Sequence, residues 1–96
     1  MMILVTYDVS TATAAGAKRL RRVAKICRDY GQRVQLSVFE LEIDTARWTF
    51  IKQQLCDLID PDVDSLRFYY LGLNWQNKVE HVGAKAALDL NGPLIL

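Results

Sequence analysis

Asp8 ends a run of strand formers, Met2-Ile3-Leu4-Val5-Thr6-Tyr7, and the stretch from 18 to 28 then carries Lys18, Arg19, Arg21, Arg22, Lys25 and Arg28. Those six cations are half of the 12 Lys and Arg in the chain. A carboxylate at the end of a buried strand is costly to desolvate, and six cations within three helical turns repel one another. A phosphodiester carrying a divalent metal would relieve both conflicts, bringing negative charge to the bases and a cation to the acid. Mg²⁺ keeps several of its waters, so one or two carboxylates and substrate phosphate oxygens suffice to hold it. Such a metal polarises a phosphoryl oxygen and activates a water, which is phosphodiester hydrolysis. The plain alternatives are a capping aspartate for the 8–13 loop and a solvated basic helix face.

Charge is distributed unevenly. Residues 1–33 hold seven bases and two acids, whereas residues 34–96 hold five bases and nine acids, so the net +1 hides a basic first third. A polyanion footprint belongs there, with Arg33 at its edge. Half of the chain is apolar, and 96 residues make one domain, 1–96. Cys27 and Cys56 have neither disulfide-framework nor zinc-ligand spacing and read as reduced thiols of a cytoplasmic protein. No apolar run approaches the ~20 residues of a membrane span.

Positioning these groups requires a particular order of elements. Residues 2–8 read as a strand, and Ser10, Thr11 and Thr13 as a polar connection. Residues 14–16 lead into a helix whose apolar residues Leu20, Val23, Ala24 and Cys27 recur at helical spacing, with the bases opposite. Apolar residues in 33–43 alternate at 34, 36 and 38 and then change parity to 39, 41 and 43. A bulge or tight turn is therefore expected near 37–39. Asp44 and Thr45 are candidate caps for a second helix with Trp48, Ile51, Leu55, Leu58 and Ile59 inward, ended by Asp60-Pro61-Asp62. An aromatic strand follows at 65–73, with weaker extended segments at 78–82 and 94–96. Strand, helix, two strands, helix, strand with right-handed crossovers is an α+β class, the ferredoxin-like βαββαβ sandwich with extra C-terminal strands. The strands at 2–9 and 65–73 are apolar on both faces, so the face without helices should be covered by a second copy. That homodimer through the sheet face would bring two Asp8 side chains together. The apolar tail at 92–96 should dock on the partner subunit.

Other candidates read as packing. His81 is the sole histidine, Ser37 lies in no nucleophile elbow, and Trp48, Tyr69, Tyr70 and Trp75 are core or surface aromatics before they are base-stacking platforms. No Walker loop, dinucleotide fingerprint or metal-ligand cluster is present.

Three stretches together resemble the CRISPR-associated protein 2 family: Ile3-Leu4-Val5-Thr6-Tyr7-Asp8; Lys18-Arg19-Leu20-Arg21-Arg22-Val23-Ala24-Lys25; and, most specifically, Tyr30-Gly31-Gln32-Arg33-Val34-Gln35-Leu36-Ser37-Val38-Phe39-Glu40. The likeness continues through 66–72, 78–83 and 93–95. The resemblance implies a ferredoxin-like homodimer whose C-terminal strand is exchanged, and a metal-dependent endonuclease acting on RNA or DNA. It also implies a role as the central dimer of the spacer-integration complex, between two dimers of the CRISPR integrase. Asp8 matches the family's metal-binding aspartate, and Arg22, Arg33 and Phe39 match positions tied to substrate contact or activity. Tyr7 and Ser37 are adjacent supports. Many relatives carry another Asp or Asn soon after the first aspartate, whereas this chain has Ser10, Thr11 and Thr13. Two functions are carried forward: an Mg²⁺-dependent phosphodiesterase with Asp8 paired across the dimer, and a non-catalytic nucleic-acid-binding scaffold. A toxin-like ribonuclease on the same fold stands outside the CRISPR setting.

Overall fold

The computed structural model describes residues 1–72 and 79–84. Trp75, Lys78 and the expected tail strand at 92–96 lie outside the described residues. The elements are β1 (Met2–Asp8), α1 (Ala14–Tyr30), β2 (Gln32–Gln35), β3 (Val38–Glu42), α2 (Thr45–Leu58), β4 (Ser65–Leu71) and β5 (Val79–Gly83). They build one antiparallel sheet in the order β2-β3-β1-β4-β5. The first four strands have the order expected of a ferredoxin-like sandwich, and β5 extends the β4 edge.

Alternation along β1 decides what each face carries. Ile3, Val5 and Tyr7 are buried under the helices, and they face Leu41 and Phe39 of β3 and Tyr70, Phe68 and Leu66 of β4. Met2, Leu4, Thr6 and Asp8 point to the other face. The first three are half-buried and Asp8 is exposed. The helices close the core with Val23, Ala24 and Cys27 of α1 and Trp48, Ile51 and Leu55 of α2. Trp48 stands edge-on to Phe68 at 5.0 Å between ring centres, a geometry that adds to the apolar burial.

Local chemistry accounts for the boundaries. Thr13 caps α1, its Oγ1 accepting from Gly16 N at 3.0 Å, and Asp44 caps α2 by accepting from Arg47 N at 2.7 Å. The first helix therefore begins ahead of the basic run. A side chain at Gly16 would lie 1.9 Å from the carbonyl oxygen of Ser10, so only glycine lets the loop after β1 cross the helix start. The parity change in 33–43 is met by a two-residue turn at Leu36–Ser37 together with a register shift between Arg33 and Gln35.

Candidate nucleic-acid interface and metal site

The six cations of α1 do not share one destination. Arg19 is turned away from solvent toward Asp64, with Nε 2.7 Å from Oδ2. Asp64 is fully buried, and its carboxylate also accepts from Ser10 N and Asp60 N, each at 2.9 Å. One buried acid thus joins the loop after β1, the first turns of α1 and the entry to β4, while its carbonyl accepts from Ala84 N at 3.0 Å. Burial opposes its charge, but the Arg19 guanidinium and the two backbone N–H groups hold its carboxyl below the ordinary carboxylate range. Sequence reasoning treated Asp60-Pro61-Asp62 as a helix stop and gave Asp64 no role. The available signal was an acid directly ahead of a strand in a chain whose bases cluster elsewhere.

Arg22 and Lys25 flank a surface groove of about 450 Å³ against α2, where Gln54 and Asp57 line the opposite wall. Lys25 also pairs with Asp29 at 2.8 Å, an exposed i,i+4 contact worth a few tenths of a kcal/mol. Lys18 is exposed at the start of the run.

Arg21 and Arg28 face the opposite flank. With Arg33 they line a second groove, of about 430 Å³, between α1 and the β2–β3 turn. Tyr7, Ser37 and Leu36 complete its polar and apolar edges. The Arg33 guanidinium lies 5.0 Å above the Phe39 ring, and that ring stacks on Tyr7 with centres 6.2 Å apart. Phe39 is fully buried, so it acts by orienting Arg33 and Tyr7. Burial, followed by the nearby Cys27 sulfur, pushes the Tyr7 phenol up, against the hydrogen bond and charge of Arg33 and the charge of Arg28. The phenol is therefore neutral at physiological pH. Ser37 accepts the Tyr7 backbone N–H at its carbonyl oxygen, at 3.2 Å. Burial pushes the Cys27 thiol up to about 12, which keeps it a packing group rather than a nucleophile.

Asp8 pairs with Ser65 in the β1–β4 ladder at the tip of the strand. The same alternation that sends Tyr7 into the arginine groove sends Asp8 to the face without helices. The acid and the bases, read in the sequence as the two parts that a metal-carrying phosphodiester would satisfy, are split between the two sides of the sheet. Among the described residues no group of three or more His, Cys, Asp or Glu is arranged to hold a metal.

The remaining candidates are structural. Trp48 Nε1 donates to the Tyr70 hydroxyl at 3.2 Å, and Tyr70 donates in turn to Glu80, which Lys52 holds at 2.8 Å. This chain ties β5 to α2. His81 Nδ1 lies 3.3 Å from Arg67 Nη2 across the β4–β5 pair, and its Nε2 is buried with no partner among the described residues. None of the described helices is long and apolar enough to cross a membrane.

Known proteins resemble this chain in sequence and in fold. Residues 1–79 match the family model described as CRISPR associated protein Cas2. The chain is 65% identical over 95 residues to the CRISPR-associated endoribonuclease Cas2 3 of Rhodospirillum rubrum, covering 99% of this chain and 100% of that one. It is 56% identical to the CRISPR-associated endonuclease Cas2 of Halalkalibacterium halodurans, covering 99% of each. The crystal structure of Streptococcus pyogenes Cas2 at pH 6.5 superposes with a TM-score of 0.70 at 60% identity, over 86% of this chain and 100% of that one. With these likenesses beside the Tyr7–Asp8 strand end, the basic first helix and the β2-β3-β1-β4-β5 sheet, the chain belongs to the CRISPR associated protein Cas2 family.

Proposed function

We propose that this chain is a CRISPR-associated, Mg²⁺-dependent endonuclease that cuts RNA or DNA as a homodimer in the cytoplasm and docks with CRISPR integrase dimers during spacer acquisition. The observation that carries the reading is the end of β1. There Tyr7 opens into a groove lined by three arginines, and Asp8, one residue on, presents its carboxylate at the strand tip. Relatives named endoribonuclease and endonuclease support phosphodiester cleavage, and membership of the family disfavours the toxin-like reading. Met2, Leu4 and Tyr69 on the face without helices support association through that face. One chain offers Asp8 without a surrounding acid cluster among the described residues. That fits a metal which keeps its waters and takes its remaining oxygens from phosphate and a second copy of Asp8.

When bound, Mg²⁺ supplies charge to the scissile phosphate and acidity to a water. The chain's own residues bind and orient the strand. Arg21, Arg28 and Arg33 hold phosphates on one side of β1, and Asp8 accepts hydrogen bonds and cation contacts at its end. Arg22, Lys25 and Lys18 extend the positive surface along α1, whereas Arg19 is committed to Asp64.

The test is hydrolysis of labelled RNA and duplex DNA by purified protein in Mg²⁺ and in excess chelator. Cleavage in Mg²⁺ that disappears with chelator is expected; no cleavage would favour the non-catalytic scaffold, and cleavage that persists in chelator would overturn the Mg²⁺ dependence. A second expectation concerns the bases. Replacing Arg21, Lys25 and Arg28 together should reduce the slope of log affinity against log salt by ~0.9 for each duplex phosphate that the variant no longer neutralises. An unchanged slope in a fluorescence-anisotropy titration would make them a solvated face. Arg19→Gln should leave that slope unaltered and instead lower the melting temperature.

A further inference from the structure

We propose that the groove between α1 and the β2–β3 turn is a subsite for a single unpaired nucleotide of a nucleic-acid strand, with Arg21, Arg28 and Arg33 clamping its phosphate and Leu36 backing its base. The inference rests on the reading that the chain binds nucleic acid. It adds where an unpaired residue is read, on the opposite side of β1 from Asp8.

Three features point there. The groove is lined by three guanidiniums and no carboxylate, unlike its neighbour against α2, where Asp57 balances the bases. Each guanidinium offers a planar fork of donors suited to phosphate oxygens. Arg33 is already oriented by its stack on Phe39, which lowers the entropy cost of binding. At about 430 Å³ the groove lies within the range of small-ligand sites, roughly 300–1,000 Å³. It is also concave, so a base held in a duplex cannot enter, whereas a splayed nucleotide can. Leu36 supplies the second half of a nucleotide site. It is an apolar side chain 82% exposed at the tip of a two-residue turn, on the rim of a cationic groove. Water is a poor partner for it, and a base face is a good one. Tyr7 and Ser37 belong to the same lining.

The experiment is fluorescence anisotropy in chelator, so that binding is read apart from cleavage, with labelled oligouridylate, oligothymidylate and a mixed-sequence duplex. Leu36→Ala should weaken single-strand binding about three- to tenfold with the salt slope and duplex affinity unchanged. Leu36→Trp should tighten it and show quenching of the new indole as a base stacks on it, since such stacking is sequence-tolerant. Arg28→Gln should weaken single-strand binding about tenfold, and more than duplex binding. Weakening in either the RNA or the DNA arm supports the subsite, and a larger effect with oligouridylate marks contact with the 2′-hydroxyl. Leu36→Ala and Leu36→Trp both binding single strands like the parent, or effects equal for single strand and duplex, would overturn it. Leu36 is exposed, so neither variant is expected to unfold. Single-strand discrimination without Mg²⁺-dependent cleavage would sustain the subsite while removing the nuclease reading. Cleavage without discrimination would do the reverse.

Discussion

Asp64→Ala is expected to lower the unfolding free energy by about 2–4 kcal/mol, since it leaves several donors without their acceptor while the partly exposed Arg19 can still turn to water. Asp64 has no solvent exposure and serves the Arg19 guanidinium, Ser10 N–H and Asp60 N–H at once. The substitution leaves these donors without their acceptor. For a small domain whose whole stability is ~5–15 kcal/mol, that is a large share. Asp64→Asn keeps the size and one acceptor oxygen but loses the charge, so it should fall between wild type and Asp64→Ala. Urea titration followed by circular dichroism reads the difference. A change below about 1 kcal/mol for Asp64→Ala, the level of an ordinary substitution, would deny the carboxylate its organising role. The pH dependence has a definite sign. The folded carboxyl is held below its ordinary value, so its contribution is complete above the unfolded pKa of ~3.9 and is lost as pH falls through the folded pKa. Glu80, lowered first by Lys52 and then by the Tyr70 hydroxyl, adds to the decline below its unfolded value of ~4.3. Stability should therefore decline below about pH 4 in wild type, and Asp64→Asn should show a shallower decline.

Asp8→Asn is expected to lower Mg²⁺-dependent hydrolysis by orders of magnitude while leaving the melting temperature nearly unchanged. The substitution keeps shape and hydrogen-bonding capacity but removes the charge that favours a hard cation. Asp8 is exposed at the end of its strand, and surface substitutions of this kind usually fall within about ±0.5 kcal/mol. Two carboxylates brought together across a dimer repel in the absence of metal, so the metal-free variant should be at least as stable as wild type. Added Mg²⁺ should then raise the melting temperature of wild type more than that of Asp8→Asn, through preferential binding to the folded form. Single-turnover cleavage and differential scanning fluorimetry, with and without Mg²⁺, check the two halves. Equal cleavage rates in the two purified proteins would assign the activity to a contaminant and leave nucleic-acid binding as the function.

Much of this architecture was legible because short-range physics writes it into the order of residues. The 3.6-residue recurrence of Leu20, Val23, Ala24 and Cys27 reports which side of α1 turns from water, whereas β1, apolar on both faces in sequence, does not by itself say that Ile3, Val5 and Tyr7 are the residues under the helices. Asp44 caps α2 because its side chain reaches an N–H three residues ahead, a contact that needs no distant partner. The parity change in 33–43 had to become a turn or a bulge, since a strand cannot exchange its faces otherwise, and it became both. The position of Asp8 at a strand tip and of the bases on the outer surface of α1 followed from the same two periods.

The destinations of the charges were not legible, because they depend on neighbours far away in the chain. Helical spacing shows that the six cations avoid the core, but it spreads them over a wide arc. Which of them meets a buried acid 45 residues on, as Arg19 meets Asp64, is settled only when β4 is laid beside β1. Likewise Arg33 joins Arg21 and Arg28 only because the β2–β3 turn folds back against α1. Alternation alone could have shown that Tyr7 and Asp8 diverge. What lies on each side of them, an arginine groove on one and the open sheet face on the other, is a product of tertiary packing.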